Sequence, residues 1–165
     1  MHEDVIDLVQ RFLAVARGLT QDQSRAARSL DLSLEAAAAL RGLSEEQAAL
    51  LAGSGMFIFR VTLDGTAHEC TSPELAGIVH DYLLVVRGLV RSKPHTAHII
   101  LGIPAGEARR LACMSLAEIR EATEHGRWRI VLPSNLAKLV RVFFNLGTVP
   151  QRRSFMLLQA VGRSS

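Results

Sequence analysis

The sequence predicts an all-α protein made of two tandem helical modules, each containing a helix-turn-helix and each leading into a short segment of extended character. Two observations support this fold class. Hydrophobic residues form 48% of the 165-residue chain, yet aromatic residues form only 5%, and tyrosine and tryptophan occur once each. Alanine and leucine favour helices, whereas strands favour aromatic and β-branched residues. The second observation is an internal repeat.

The repeat begins with FLAVARGL at 12–19 and YLLVVRGL at 82–89, which share five identities at an offset of 70 residues. After one inserted residue, the stretch that begins SRAARSLDL resembles the stretch that begins HTAHIILGI. The matched positions include Ala26/Ala97, Leu40/Leu111, Ser44/Ser115 and Gly55/Gly126. Chance similarity between alanine-rich amphipathic helices is the alternative, but the ordered run of matches favours a tandem duplication.

Each module is predicted to open with a long helix. Apolar residues at helical spacing predict the first from about Asp4 to Leu19. Its counterpart has Ser72 as N-cap and Pro73 at the first helical position, and it runs to about Val90.

A helix-turn-helix is predicted to follow in each module. In the first module it comprises a helix at 24–30, a turn at 31–33 and a helix at 34–41. In the second, Gly102 supplies the turn, Ile103 fills the core and Pro104 starts the next helix. Ala97 is the small residue expected to pack between the helices.

A third helix in each module is predicted from a capping box, Ser44 with Gln47 and Ser115 with Glu118. Both helices end near a glycine and lead into MFIFRVTL at 56–63 or RWRIVLP at 127–133. These segments are either short strands or chain packed across the other copy. The predicted units are therefore a first module at 1–71, a second at 72–133 and a helical tail at 134–165.

The tail is predicted to contain an apolar helix around 136–144, a break at Gly147 and Pro150, and then a shorter helix. Its apolar residues either pack inside the chain or dock a partner. Arg152 and Arg153 lie at the start of the last helix, where the dipole disfavours cations unless an acidic group meets them. The predicted partner contacts are Leu139, Val142, Phe143, Phe144, Arg152, Arg153 and Phe155.

Charge is distributed unevenly along the chain. Residues 1–71 contain 6 arginines and 10 acidic residues, whereas residues 72–165 contain 13 basic and 6 acidic ones. The basic half predicts contact with nucleic acid or an acidic protein, although solvated basic helix faces would give the same count. The second copy's recognition-helix candidate has two arginines, whereas the first copy's offers Glu35 and a run of alanines. The predicted DNA-binding residues are Arg91, Lys93, Arg109 and Arg110.

Helix-turn-helix modules also serve for protein contact alone, so the alternative is that neither copy touches DNA. The sequence has no nucleophile-and-base motif and no glycine-rich phosphate loop, so we expect no enzyme and no cofactor. His95 with His98, or His68 with Cys70, would give too few ligands for zinc, so no metal is expected. Cys113 is interpreted as a buried small hydrophobe.

The N-terminus lacks the features of a secretory signal and no apolar run is long enough to cross a membrane, so the expected location is cytoplasmic.

The stretch LAVARGLTQDQSRAARSLDLSLEAAAALRGLSEEQAALLAGSGMFIFRVTL resembles FlhD, the small helical subunit of the FlhD/FlhC flagellar transcriptional activator. Phe59, Arg60 and Val61 hold the family's aromatic-arginine-hydrophobic end. The resemblance implies an intertwined homodimer that joins an FlhC-like partner at promoter DNA. It also implies that two modules in one chain form a covalent pseudo-dimer, which is capable of further self-association. The family's subunit-linking cysteine is replaced here by Phe57 or its neighbour, so no such link is expected.

Two functions follow as hypotheses. The first is a transcriptional regulator subunit that binds promoter DNA with an FlhC-like partner and activates transcription. The alternative is a protein-only modulator, an anti-activator that binds an FlhC-like regulator without contacting DNA.

Overall fold

The computed structural model describes residues 2–21, 30, 32–55, 57–63, 72–94, 97 and 101–164, with the backbone alone at residues 2, 153 and 160–164. Eight helices and one two-stranded sheet in this part of the chain confirm the all-α prediction. The helices are α1 His2–Leu19, α2 Leu34–Arg41, α3 Glu45–Ala52, α4 Pro73–Ser92, α5 Ala105–Cys113, α6 Leu116–Glu124, α7 Leu136–Asn145 and α8 Val149–Ser164. The strands are β1 Arg60–Thr62 and β2 Arg129–Val131.

The elements of the two halves recur in the same order. α1 packs against α2 and α3, and α4 packs against α5 and α6. Three pairs of helices, α1/α4, α2/α5 and α3/α6, each begin 71 residues apart, at 2 and 73, 34 and 105, and 45 and 116. The first helix of each predicted helix-turn-helix falls mostly outside the described residues, apart from Leu30 in one copy and Ala97 and Leu101 in the other.

Local hydrogen bonds set the helix starts as the sequence predicted. The Ser72 hydroxyl accepts from the Leu75 amide at the start of α4. Ser44 and Ser115 each accept from the backbone amide three residues on, and the Gln47 and Glu118 side chains accept from the serine amides in return. Both capping boxes are therefore confirmed.

The two halves meet through α1 and α4 and through the strands. Arg11 on α1 donates to Asp81 on α4 at 2.7 Å. Residues that precede Arg11 share a groove with Leu84 and Val85, which follow Asp81, so the two helices run antiparallel. β1 pairs antiparallel with β2, and Val61 lies opposite Ile130. The extended segments are thus short strands that also join the two halves.

An aromatic cluster fills the core at this junction. The Phe12 and Phe59 rings stack with their centroids 4.1 Å apart, and Tyr82 lies 5.0 Å from Phe57 and 5.4 Å from Phe59. All four side chains are fully buried. Burial of this much aromatic surface is the main local source of stability, since aromatic pairs add to the hydrophobic term. Phe12 and Tyr82 are the first residues of the two repeated motifs, so the repeat positions its aromatic residues at the interface between the halves.

The tail differs from its prediction in one respect. α8 has 16 residues and α7 has 10, so the last helix is the longer of the two. Pro150 lies in the first turn of α8, where a missing amide hydrogen is tolerated. Thr148 and Gln151 bond reciprocally, each amide donating to the other's side chain, which gives a third capping box that the sequence analysis overlooked.

Candidate nucleic-acid interface

The turn before α5 has the geometry that the sequence predicted. Gly102 has a φ of 61°, in the left-handed region where a side chain would be strained. Ile103 beside it is fully buried, and Pro104 is the N-cap of α5 in extended conformation. Leu101 before the turn is helical and buried. The chain therefore turns sharply into α5 and is anchored by one buried side chain.

α5 has a buried face and a basic face. Ala108 and Leu111 are buried against α4, while Arg109 and Arg110 are exposed. The Arg87 side chain on α4 donates to the Met114 carbonyl just after α5 at 2.6 Å, which fixes the end of the helix. Rigid placement of the two arginines on an exposed face suits contact with a polyanion.

Arg91 and Lys93, the other two predicted DNA-binding residues, lie at the C-terminal end of α4 and are exposed. Because α5 packs against α4, all four predicted cations belong to the same half of the molecule. Within the described ranges, none of the four forms an ion pair. Their charges are therefore available to a ligand.

Glu107 in the first turn of α5 is the acidic exception on this helix. It is half-buried, and desolvation raises its pKa, while the charges of Arg60 and Arg110 act in the opposite direction. The carboxylate therefore offsets part of the positive field near Arg110 and links α5 electrostatically to β1 of the first half. Glu107 therefore offsets the positive charge of Arg110 more than that of Arg109.

The counterpart of α5 in the first half, α2, has a different environment. Its Ala36 and Ala37 are 5% and 7% exposed, and α7 from the tail packs against it. Ala36 occupies the place that Glu107 has in α5. Alanine side chains let another helix approach closely, and a buried carboxylate at that place would be costly.

The predicted partner contacts of the tail form two groups, one buried and one partly exposed. Leu139 and Phe143 are 2% and 1% exposed, so in this structure they belong to the chain's own core rather than to a docking surface. Val142, Phe144 and Phe155 are half-buried and remain partly accessible. The Arg153 side chain lies outside the described residues.

Arg152 is stabilised by neutral groups of α7 rather than by the acidic group that the sequence analysis required. Its Nε donates to the Leu146 carbonyl at 3.0 Å, at the C-terminal end of α7 where a cation is favourable. Its guanidinium carbon lies 5.5 Å from the centroid of the Phe143 ring. Both contacts hold α8 against α7.

A groove of about 360 Å³ lies between α3 and the tail. Leu50 and Val149 line it and are 48% and 57% exposed, with Glu46 and Arg152 beside them. This groove is an apolar accessible surface near the predicted partner contacts.

The prediction that Cys113 is buried is wrong, since its side chain is exposed. It is the last residue of α5 and lies off the face that carries Ala108 and Leu111. His68, Cys70, His95 and His98 lie outside the described residues. Among the residues that are described, no group of three His, Cys, Asp or Glu side chains could hold a metal ion.

Two exposed cations on α7, Lys138 and Arg141, are absent from the predicted DNA-binding set. The signal that would have found them is the lack of any aspartate or glutamate after Glu124.

None of the helices in the described part of the chain combines the length and the apolar character that a membrane crossing requires. Comparison of the chain with protein-family models, with curated proteins and with solved structures finds no match.

Proposed function

We propose that this protein is a non-enzymatic, cytoplasmic transcriptional regulator subunit of the FlhD type, which binds promoter DNA together with an FlhC-like partner and activates transcription. The observation that carries the proposal is α5, a helix that follows a glycine turn and presents Arg109 and Arg110 on its exposed face. A helix in that setting is suited to the major groove, where arginine recognises guanine edges.

The proposal assigns different roles to the four cations. Arg109 and Arg110 read base edges, because they lie on the exposed face of the helix that enters the groove. Arg91 and Lys93, at the end of the supporting helix, contact phosphates and fix the position of α5.

We further propose that the chain is a tandem duplication and acts as a covalent pseudo-dimer. Recurrence of the element order and of the capping boxes in both halves supports this proposal. The ion pair between Arg11 and Asp81 joins residues 70 apart, the offset of the repeated motif. Equivalent positions that face each other are expected at the two-fold axis of a dimer.

Binding of promoter fragments from the native host, with and without a co-expressed FlhC-like partner, tests the proposal. We expect binding that weakens steeply as salt rises, because phosphate contacts release counterions. The variant R109A/R110A is expected to lose about 1–3 kcal/mol of discrimination per base contact removed. A matched control is Arg120→Ala, which removes one exposed arginine from α6.

Absence of binding even with the partner present, or binding that salt does not weaken, would contradict the proposal. Equal loss of discrimination in Arg120→Ala would also contradict the assignment to α5.

A second candidate function is a protein-only modulator that binds an FlhC-like regulator without DNA. The groove between α3 and the tail favours it, since Leu50 and Val149 are exposed there next to the acidic Glu46. Leu50→Glu tests whether the groove binds the regulator, and chromatin capture distinguishes the two functions. Under the modulator hypothesis this variant loses the co-purified regulator, and wild-type protein enriches no promoter DNA in chromatin capture.

A further inference from the structure

The positive charge of the second half is concentrated at its end. Residues 72–124 contain six basic and six acidic residues, so they contribute no net charge. Residues 125–165 contain seven lysines and arginines and no aspartate or glutamate. The basic excess of the chain therefore belongs to the second strand and the tail rather than to α4 and α5.

α7 separates its charged residues from its apolar ones. Leu136, Leu139, Val140 and Phe143 point inward and are buried. Lys138, Arg141 and Asn145 are exposed, and their spacing of three and four residues places them on one face. We call these three residues the outer face of α7.

The cations of this face lack the acidic neighbours that Arg11 and Arg127 have. Arg11 lies 2.7 Å from Asp81, and Arg127 lies 3.8 Å from Glu121. Neither Lys138 nor Arg141 forms an ion pair with any residue that the structure describes. Their field is therefore open to solvent and to a polyanion.

The position of α7 places Lys138 and Arg141 beside α2. α7 packs against α2, the first-half counterpart of α5, and α2 has Ala38 and Ala39 at the positions of Arg109 and Arg110. The tail thus places two cations beside α2, whose own basic residue is Arg41 in its last turn.

We propose that the outer face of α7 binds the phosphate backbone of duplex DNA through Lys138 and Arg141, in addition to the contact that α5 makes. This inference rests on the proposed DNA-binding function and adds a site to it. Phosphate fits better than a membrane surface, because the apolar face of α7 is buried and its outer face is polar throughout, which leaves nothing to insert into lipid. Contacts of this kind carry no sequence information.

The test measures binding of the full chain, with its partner where required, to a labelled promoter duplex and to a scrambled duplex at several salt concentrations. We expect K138A/R141A to weaken binding to both duplexes by the same factor. The slope of log K against log salt should fall by about 1 for each removed charge. R109A/R110A should instead reduce the ratio between promoter and scrambled affinities.

Arg120→Ala is the matched control, because it removes one exposed helical arginine outside both sites and should leave the affinity ratio and most of the slope unchanged. K138Q/R141Q provides a second variant that removes both charges but keeps polar side chains, with thermal unfolding as the check on folding.

If K138A/R141A and K138Q/R141Q bind DNA as tightly as the wild type and with the same salt slope, the α7 site is overturned and the proposed function stands. Failure of the wild type to bind either duplex, with or without partner, would overturn both. Binding to anionic phosphatidylglycerol vesicles that is lost in K138A/R141A, without binding to DNA, would identify a membrane surface instead and overturn the inference.

Discussion

α2 and α5 occupy equivalent places in the two halves but differ in surface and in neighbours. α2 contains four consecutive alanines and packs against α7, whereas α5 has Glu107, Arg109 and Arg110 among its residues and keeps a charged exposed face. Ala36 is buried where Glu107 is only half-buried. The difference shows how a shared backbone plan can serve two tasks: small side chains make one helix a platform for the tail, and charged side chains keep the other open to solvent.

The largest expected effect comes from exchanging the residues that distinguish these two helices. Ala36→Glu puts a carboxylate at a place that is 5% exposed, so we expect a loss of about 3–5 kcal/mol in the free energy of unfolding, as for an uncompensated buried charge. Urea denaturation followed by circular dichroism measures it.

The reverse exchange is the control. Glu107→Ala is expected to leave stability unchanged or to increase it at neutral pH, because it removes a carboxylate whose pKa is raised by desolvation. Since the raised pKa favours the protonated group in the folded state, any gain should disappear as the pH falls below the ordinary value of 4.5. Equal tolerance of both exchanges would show that α2 and α5 do not differ in packing.

Local patterns of the sequence predicted most helix starts, because a capping box needs only residues three apart. Ser44, Ser72 and Ser115 cap as expected, and the same rule would have located Thr148. The exposure of Cys113 could have been read from helical spacing, since the buried positions of α5 are 108 and 111.

Packing between distant segments was beyond sequence reasoning. The apolar spacing of α7 indicated a buried face without identifying α2 as its neighbour, because α2 offers only small side chains that match many partners. The pairing of Val61 with Ile130 likewise depends on how the halves are placed. For the candidate site, the exposure of Arg109 and Arg110 followed from the pattern, whereas their relation to Arg60 through Glu107 required the fold.

An intermediate effect is expected at the two capping boxes, which differ in one residue. Ser44→Ala removes an N-cap and should cost about 1 kcal/mol at every pH, because Gln47 does not titrate. Ser115→Ala should cost most at neutral pH. Hydrogen bonds from the Ser115 backbone and side chain lower the pKa of Glu118, so the carboxylate stabilises the fold above its ordinary value of 4.5 and stops doing so as the pH falls.

Melting temperatures of the wild type and both variants between neutral pH and pH 3 measure this difference. The destabilisation by Ser115→Ala should shrink on acidification by the part that the lost side-chain hydrogen bond contributes, since the backbone amide of residue 115 still donates to Glu118. The destabilisation by Ser44→Ala should stay constant. Parallel pH dependence in the two variants would contradict the role of Glu118 as the titrating partner.

The smallest effect is expected where equivalent positions of the two halves meet. In a dimer of identical modules, the place held by Arg11 and Asp81 would bring like charges together, whereas here the pair is complementary at 2.7 Å. The side chains are 48% and 40% exposed, so the pair should contribute only about 0.2–1 kcal/mol.

Arg11→Asp and Asp81→Arg should each destabilise the fold, and R11D/D81R should recover most of the loss. Full recovery is not expected, because the swapped pair loses the contact of Arg11 with Asp7 at 3.8 Å. A double-mutant cycle by urea denaturation at low salt and at about 1 M salt measures the coupling, which high salt should reduce. A double variant no more stable than the sum of the two single losses predicts would show that the charge pair does not join the halves. The described contacts that remain between them would then include the aromatic cluster around Phe59 and the pairing of β1 with β2.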